Sequence, residues 1–304
     1  MRATFSQKLA EIAAADSRVV LLTGDHGYAL FDEFRQLCPQ QYINAGIAEQ
    51  NMIGVAAGMA RAGFRPYVYG LSAFVPIRVL EQIKIDLAHD QLPVVLIGDG
   101  AGFVYSHLGT SHQSTEDIAA TRALANLHVY SPADRHELAL CLELSTRIST
   151  TTYLRIGKAD RGDVHLAPVV ASAGKLLPVR QAGDELVFLA TGSMVRTAID
   201  IADRTYPQAS VWSVPFIKPI DTADVVDIAR RARVIVCLEE HSIHAGLGSL
   251  IAELTAECAP TRVLRIGVQD RYSEYCGTYD YLLHEHGLDA DSIIERIGQF
   301  LTQI

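Results

Sequence analysis

A chain of 304 residues, 49% hydrophobic and 20% charged, is long enough for two globular domains of about 150 residues each. Its formal net charge of -9 and its lack of a basic cluster argue against nucleic acid and anionic membranes as partners. No apolar run approaches the roughly 20 residues of a membrane span, and the N-terminus lacks a secretory core, so we expect a cytoplasmic protein.

The first half of the chain alternates short apolar strands with helices. The predicted strands cover residues 19–22, 41–44, 66–69, 94–97, 127–130 and 152–156. The predicted helices cover 4–15, a stretch from about 48, 77–89 and 134–147. This alternation is typical of a parallel sheet with helices on both faces, so the expected fold class is α/β. Ligands then bind in the loops at the carboxyl ends of the strands, here 24–30, 44–49, 70–76 and 98–114.

The second half begins after a stretch rich in Gly, Asp, Pro and Lys. We predict a first domain over 1–160, a linker over 161–182 and a second α/β domain over 183–304. The predicted strands of the second domain lie near 186–190, 209–214, 233–238 and 261–266, and a helix begins at about 290. The five cysteines are scattered without a Cys-x-x-Cys pair, so we expect reduced core thiols and no zinc site.

Glu49 is a carboxylate in the first turn of a predicted helix rich in Ala and Gly, just behind the loop residue Gly46. It could simply complement the positive end of the helix, an effect worth less than about 1 kcal/mol. Alternatively, a carboxyl group held among apolar side chains can give or hold a proton near neutral pH.

Other polar groups fall in the same ligand-side loops. His107 and His112 share one glycine-bounded loop and could handle protons or bind hydroxyl groups. Arg2 and Arg155 could hold an anionic substrate tail, because arginine binds phosphate and sulfonate through two hydrogen bonds. Phe74 could stack on a heterocycle or belong to the core.

A second polar cluster follows a predicted strand in the C-terminal half, where Glu239-Glu240-His241 precedes His244 and Gly246-Leu247-Gly248. Metal ligation is conceivable there. A turn that caps the following helix is favoured, because no third ligand motif has metal spacing.

Taken in order, these motifs resemble the transketolase family over essentially the whole chain. The segments 46–51, 64–67, 109–113, 131–134 and 153–155 resemble the pyrimidine-binding domain, and 239–241 with 246–248 resemble the C-terminal domain. Two parallel-sheet α/β domains are therefore expected. The resemblance implies a transferase that moves a two-carbon ketol unit from a ketose or ketose phosphate donor to an aldose acceptor, with thiamine diphosphate as cofactor.

Complete transketolases also carry a preceding domain that holds the diphosphate and magnesium. Since this chain shows no such domain, the resemblance implies the C-terminal subunit of a split transketolase, with an N-terminal transketolase-like partner in an α2β2 heterotetramer. The partner would hold the diphosphate and Mg, and no metal site is expected here. Gly98-Asp99-Gly100 imitates a magnesium motif, but it lies inside the pyrimidine domain, so we reject that interpretation.

The resemblance also implies roles for individual residues. Glu49 would contact N1′ of the aminopyrimidine and share a proton with it, and Phe74 would stack on that ring. Asp25 would lie near the cofactor, and His112 would contact sugar hydroxyls. Arg2 and Arg155 would hold the distal phosphate of the substrate.

Four positions depart from the family pattern. Gly100 stands at or near the expected phosphate-binding histidine, and Leu108 stands where an aspartate is expected. Leu71 and Ile77 replace two aromatic residues around the pyrimidine. The cofactor side is therefore matched better than the acceptor side, and the acceptor need not be an ordinary pentose phosphate.

Two alternatives stay open at this stage. One is the β subunit of a 2-oxo acid dehydrogenase E1 component or an enzyme similar to deoxyxylulose phosphate synthase. The other is a non-catalytic binding or regulatory homologue. The sequence does not decide which sugars react, or whether the substrate tail is phosphate, sulfonate or absent.

Overall fold

A computed structural model describes residues 1–27, 29–158 and 161–303 of the chain. The described residues form two sheets flanked by helices. The strands are β1 Val19–Thr23, β2 Tyr42–Asn44, β3 Arg65–Leu71, β4 Val95–Asp99, β5 Leu127–Tyr130, β6 Thr151–Ile156, β7 Leu177–Arg180, β8 Gly183–Ala190, β9 Ala209–Ser213, β10 Phe216–Lys218, β11 Val234–Ser242 and β12 Arg262–Val268.

The first sheet has the strand order β10-β5-β6-β4-β3-β1-β2, and all of its pairs are parallel except β10 with β5. The parallel register aligns the carboxyl ends of the central strands, since Leu71 is paired with Asp99 and Asp99 with Ile156. The predicted ligand-side loops therefore leave the sheet along one edge.

The second sheet has the order β12-β11-β8-β9-β7. Its strand β7, at Leu177–Arg180, pairs antiparallel with β9 and lies inside the predicted linker 161–182. Part of that linker is therefore a strand of the second sheet. The strand β10 follows β9 in the chain but joins the first sheet, so the two halves of the chain are interlocked.

The helices are α1 Arg2–Ala15, α2 Asp32–Leu37, α3 Glu49–Arg61, α4 Leu80–Gln82, α5 Asp117–Arg122, α6 Arg135–Ser145, α7 Met194–Arg204, α8 Thr222–Arg231, α9 Leu247–Cys258, α10 Tyr279–Glu285 and α11 Ala290–Leu301. The sequence did not indicate α2 and α5, because six residues are too few to show a helical period. None of the helices in the described ranges is long and apolar enough to span a bilayer.

The predicted helix over 77–89 is irregular. It begins as a 3₁₀ turn at Ile77–Val79, continues as α4 and widens into π-helical turns at Ile83–Ala88. Val79, Ile83 and Leu87 are fully buried and recur every fourth residue, a longer repeat than the 3.6 residues of an α-helix. Widened turns keep all three facing the core.

One apolar cluster contains residues of both sheets, including Leu22 and Leu96 from the first and Leu189 and Ile235 from the second. The two halves therefore share a core. All five cysteines are free thiols, but Cys258 and Cys276 are exposed. The expectation that all five lie in the core is wrong for these two.

Candidate active site

Glu49 is held at the start of α3, immediately after the short loop that follows β2. The side chain of Asn44 accepts a hydrogen bond from the backbone N–H of Gly46 at 2.8 Å, and Gly46 has a φ of 71°, which favours glycine. The apolar face of α3 is buried through Met52, Ile53, Ala56, Ala57 and Ala60. Glu49 itself is only 6% exposed, so the fold fixes a carboxyl group at this edge of the sheet.

Arg78 connects Glu49 to Phe74. Its Nη1 lies 3.1 Å from Glu49 Oε1, and its guanidinium carbon lies 4.1 Å from the centre of the Phe74 ring. The apolar side chains expected around Glu49 are therefore joined by one cationic partner, which the sequence analysis did not anticipate. The sequence analysis missed Arg78, although its position in the first turn of the predicted helix 77–89, four residues after Phe74, is a usable signal.

His112 completes this cluster, because its imidazole ring also lies against Phe74. The two ring centres are 5.3 Å apart and the planes are inclined by 66°. Ser111 Oγ lies 3.0 Å from His112 Nδ1 and can orient the imidazole. The structure thus brings together Glu49, Phe74 and His112, which are 63 residues apart in the chain at most, through the aligned ends of β2, β3 and β4.

Asp25 and His26 follow β1 at the same edge. Asp25 is exposed, and His26 is half-buried with its ring centre 5.6 Å from that of Tyr69. Burial lowers the pKa of His26, although a backbone hydrogen bond at Tyr69 and the charges of Glu49, Asp99 and Asp25 work in the opposite direction. His26 therefore lies between the Glu49 cluster and the end of β4.

Asp99 ends β4 and forms a salt bridge with Arg2. These two residues, with Tyr69 and Tyr105, form the second cluster of the candidate site. Arg2 Nε lies 3.1 Å from Asp99 Oδ1, and Arg2 Nη2 lies 2.8 Å from Oδ2. Tyr69 and Tyr105 donate to the same Oδ2 at 2.7 and 3.2 Å, and Arg2 Nη2 also donates to the Tyr105 hydroxyl at 2.7 Å. Arg2, which was predicted to bind an anionic substrate tail, is thus already paired with the Asp99 carboxylate.

The charges in this second cluster perturb one another. Burial, followed by the charge of Asp99, raises the pKa of Tyr105 to about 12. Burial would lower the pKa of Arg2, but the charge and the hydrogen bond of Asp99, with smaller contributions from Tyr105 and Tyr69, together outweigh burial and raise the pKa above its usual value. Arg2 is therefore a permanent cation, and Tyr105 keeps its proton at neutral pH.

Arg155 is placed on β6 and is only 2% exposed. Its Nε donates to Asp117 Oδ2 at 2.7 Å, and its Nη2 donates to the carbonyl oxygens of Glu240 at 2.8 Å and Ser114 at 3.3 Å. Tyr153 donates to the same Asp117 oxygen at 2.6 Å. This geometry does not favour the predicted role in holding a substrate tail, because the guanidinium is committed to joining the two halves of the chain.

Glu239 and His241 both have structural partners within the chain. Glu239 accepts hydrogen bonds from the backbone N–H groups of Leu247 at 2.7 Å and Gly248 at 2.9 Å, so it caps α9. The ring nitrogen Nε2 of His241 accepts from the backbone N–H of Ala119 at 3.2 Å. The capped-turn interpretation of this motif fits the structure better than metal ligation does.

Glu240 is a buried junction residue. It accepts a hydrogen bond from the backbone N–H of Phe103 at 2.6 Å and forms further bonds with the hydroxyl groups of Ser193 and Tyr279. In the described ranges, no group of three His, Cys, Asp or Glu side chains is arranged to hold a metal ion.

Two of the four positions that depart from the expected pattern, Gly100 and Leu71, border the second cluster. Gly100 has a φ of 78°, and a Cβ atom there would lie 2.0 Å from the Tyr105 ring. Only glycine lets Tyr105 reach Asp99 in this way. Leu71 is half-buried beside Asp99, whereas Leu108 is 54% exposed.

Comparison with known proteins assigns both halves of the chain to the same family. Residues 1–161 match the model of the transketolase pyrimidine-binding domain, and residues 174–293 match that of the transketolase C-terminal domain. The chain is 31% identical to one subunit of the apulose-4-phosphate transketolase of Phocaeicola vulgatus, over 99% of this chain and 97% of that one. It is 33% identical to a 6-deoxy-6-sulfo-D-fructose transketolase subunit of a Clostridium species, over 97% and 92%.

A solved structure of a split-gene transketolase, described as an inactive beta4 tetramer, resembles the chain with a TM-score of 0.88 at 29% identity. The similarity covers 99% of this chain and 97% of that one. Both halves of the fold, and their arrangement, are therefore shared with that protein.

Proposed function

This chain belongs to the transketolase family, and we propose that it is the subunit of a split, thiamine diphosphate-dependent transketolase that supplies the pyrimidine side of the active site. The relatives named as transketolase subunits, similar over nearly their whole length, support the enzyme class. The residue roles rest on the geometry around Glu49.

The observation that carries the proposal is the position of the Arg78 guanidinium between Glu49 and Phe74. The Arg78 guanidinium is a flat N–H donor that faces the Phe74 ring and a Glu49 oxygen together. An aminopyrimidine is also flat, and its ring nitrogen can share a proton with the Glu49 carboxyl group, so the ring can use both partners in place of the guanidinium. The buried carboxyl group and the aromatic face therefore fit the cofactor's ring.

Thiamine diphosphate, when bound, supplies the nucleophilic carbon that the reaction requires. Glu49 would hold a proton at N1′ of the pyrimidine, and Phe74 would fix the plane of the ring. Asp25 would lie near the cofactor, on the loop that follows β1. Each role is performed from the carboxyl edge of the first sheet.

His112 would act on the sugar. In ketol transfer the C2–C3 bond of the donor ketose breaks, and the two-carbon unit forms a new bond with the aldehyde carbon of the acceptor. The donor leaves as a shortened aldose, and the C3 hydroxyl proton must move. A half-buried imidazole beside Phe74 can bind that hydroxyl and accept or return its proton.

The partner would be an N-terminal transketolase-like subunit that holds the diphosphate and Mg, in an α2β2 assembly. Support comes from the relatives that are named as single subunits of transketolases. The similar solved structure, named as an inactive tetramer of beta chains, also fits a subunit that needs another chain for activity.

Reconstitution tests the proposal. The chain is assayed for ketol transfer alone and after mixing with a separately purified N-terminal transketolase-like subunit, thiamine diphosphate and Mg²⁺. We expect transfer only from the mixture. Transfer by the chain alone would overturn the split arrangement, and release of carbon dioxide from pyruvate in place of ketol transfer would assign the complex to the 2-oxo acid enzymes. Absence of cofactor binding by a stable complex would favour the non-catalytic alternative.

A further inference from the structure

We propose that Ser273 and His286, in the second half of the chain, are positioning residues for His112 and act on it through Gln113. Hydrogen bonds join His286 to Ser273 and Ser273 to Gln113, which is the neighbour of His112 in the chain. This inference rests on the proposed function, because it identifies what holds the residue assigned there to the sugar hydroxyl.

His112 and Gln113 are adjacent in the chain, but their side chains contact different halves of it. The His112 ring is half-buried, and its centre lies 5.3 Å from that of Phe74. Gln113 is only 6% exposed, and its Oε1 accepts a hydrogen bond from Ser273 Oγ at 2.9 Å. A shift of Gln113 therefore moves the backbone that carries His112.

The Ser273 hydroxyl orients the Gln113 side chain. Among the residues that the structure describes, Gln113 Nε2 has no hydrogen-bond partner, so the contact of Oε1 with Ser273 sets the plane of the amide. Ser273 Oγ also lies 3.0 Å from His286 Nε2. A hydroxyl group has one proton, and since Ser273 gives it to Gln113, His286 Nε2 is the donor to Ser273.

His286 is the fixed end of this connection. It directly follows α10, and its backbone N–H donates to the carbonyl oxygen of Leu282 at 3.1 Å. Leu282 is fully buried in the apolar cluster of the second sheet, and His286 itself is 6% exposed. The imidazole is therefore held by the core of the second half of the chain.

The same imidazole contacts both branches of the loop that carries His112. Gly102 and Ser114 close the base of this loop, because their backbone groups exchange hydrogen bonds of 2.8 and 3.0 Å. Phe103 follows on one branch, and its ring stacks on that of His286 with the centres 4.8 Å apart. Gln113 lies on the other branch, next to His112. Loss of the Gln113 contact therefore loosens His112 while the base of the loop stays closed.

The space around these side chains excludes a direct role on the sugar. Phe103, Gln113, Ser273 and His286 line a cavity of about 20 Å³. A cavity of that size has room for about one water molecule, so a sugar does not enter it. Ser273 and His286 therefore act on the reaction through the position of His112.

The test follows the donor half of the reaction in one turnover of the assembled enzyme, without an acceptor. In L-erythrulose the C2–C3 bond breaks, its electron pair stays with the two-carbon unit, His112 takes the C3 hydroxyl proton and glycolaldehyde is released. Hydroxypyruvate yields the same two-carbon unit, but carbon dioxide leaves and no C3 hydroxyl is present. Misplacement of His112 should therefore slow the release of glycolaldehyde and spare the release of carbon dioxide.

The variant Ser273→Ala removes the central hydroxyl of the connection. We expect glycolaldehyde release to slow by about tenfold and carbon dioxide release to change by less than about twofold. Ser273→Thr keeps a hydroxyl group and should recover most of the lost rate. The matched control Ser292→Ala removes a hydroxyl that donates to Asp289 at 2.6 Å beside α11, and it should leave both rates unchanged.

Three outcomes of these rate measurements would overturn the inference. They are a wild-type rate of glycolaldehyde release in Ser273→Ala, an equal loss of both rates in that variant, and an equal loss in Ser292→Ala. The first would show that His112 does not depend on Ser273. The other two would show general damage to the enzyme.

Hydrogen exchange of the purified full chain separates failure of this inference from failure of the proposed function, because it needs no turnover. The backbone N–H groups of His112 and Gln113 donate to the carbonyl oxygen of Gly109 at 3.0 and 3.2 Å. They should exchange about tenfold faster in Ser273→Ala and at the wild-type rate in Ser292→Ala. If the wild type turns over neither donor, the proposed function fails, and faster exchange still supports the anchor. Unchanged exchange in Ser273→Ala would overturn the inference whatever the activity.

Discussion

Arg78 Nη1 lies 3.1 Å from Glu49 Oε1, and the guanidinium also covers the face of Phe74. Two residues expected to hold a cofactor ring are therefore joined by a side chain of the protein itself. In the proposed complex Arg78 moves away from this position, because the same two surfaces cannot hold Arg78 and a pyrimidine at once.

The first prediction concerns Arg78→Met. Since the Arg78 side chain is 46% exposed, its loss should lower the free energy of unfolding by less than about 1 kcal/mol. The thiamine diphosphate dissociation constant of the assembled enzyme should not increase, because the guanidinium leaves the site before the ring enters. Urea denaturation and a cofactor titration measure the two quantities.

Arg61→Met is the matched control for Arg78→Met, because Arg61 forms an exposed ion pair with Asp90 away from the site. It should have a similar small effect on stability and none on cofactor affinity. A tenfold increase in the dissociation constant for Arg78→Met alone would mean that Arg78 holds the cofactor and does not give way to it.

The second prediction concerns Arg155→Met. This change leaves Asp117 buried without its cationic partner, so the free energy of unfolding should fall by about 3–5 kcal/mol. Urea denaturation of the purified chain measures the loss. If the variant were as stable as wild type and only the KM for the sugar rose, Arg155 would be a substrate anchor after all.

A third prediction follows from the contact between His165 and Glu137, whose side chains lie 2.7 Å apart near the start of α6. Burial would lower the pKa of His165, but the hydrogen bond and charge of Glu137 outweigh it and raise the pKa above 6.5. The native state therefore binds this proton more tightly than the unfolded state does. The resulting stability is fully present below about pH 6.5 and is lost as the pH rises through the native pKa.

Unfolding free energies between pH 5.5 and 8.5 test this coupling. The difference between wild type and His165→Gln should be largest at the acidic end and should shrink as the pH rises. His89→Gln is a suitable control, since His89 is exposed. A difference that grows with pH would show that the sign of the His165 coupling is opposite to the one inferred.

The parts of the fold that the sequence could predict are those with a local pattern of apolar residues. The apolar runs at β1 and β4 predicted these strands to within one or two residues, because a buried parallel strand needs a continuous apolar segment. The six-residue helices α2 and α5 and the strand β7 lack such a signal. The π-helical turns depend on core packing, which no local pattern records.

The candidate site likewise contains residues that the sequence could predict and residues that it could not. Glu49, Phe74 and His112 belong to recognisable motifs, and the aligned strand ends bring them together. Asp99 was visible only as part of a decoy metal motif, and its partner Arg2 lies 97 residues earlier in the chain. A charge pair set by tertiary topology has no signature in either segment, so the sequence could not show that Arg2 is already neutralised.

The central claim is that Glu49 contacts a cofactor that this chain holds jointly with another subunit. The most direct measurement is the rate of ketol transfer by the reconstituted complex that contains Glu49→Gln, with Glu257→Gln, an exposed residue of α9, as the control. We predict a loss of about 10²–10⁴-fold for Glu49→Gln with unchanged assembly in gel filtration, and no loss for the control. A Glu49→Gln complex that transfers the ketol unit at the wild-type rate would contradict the account.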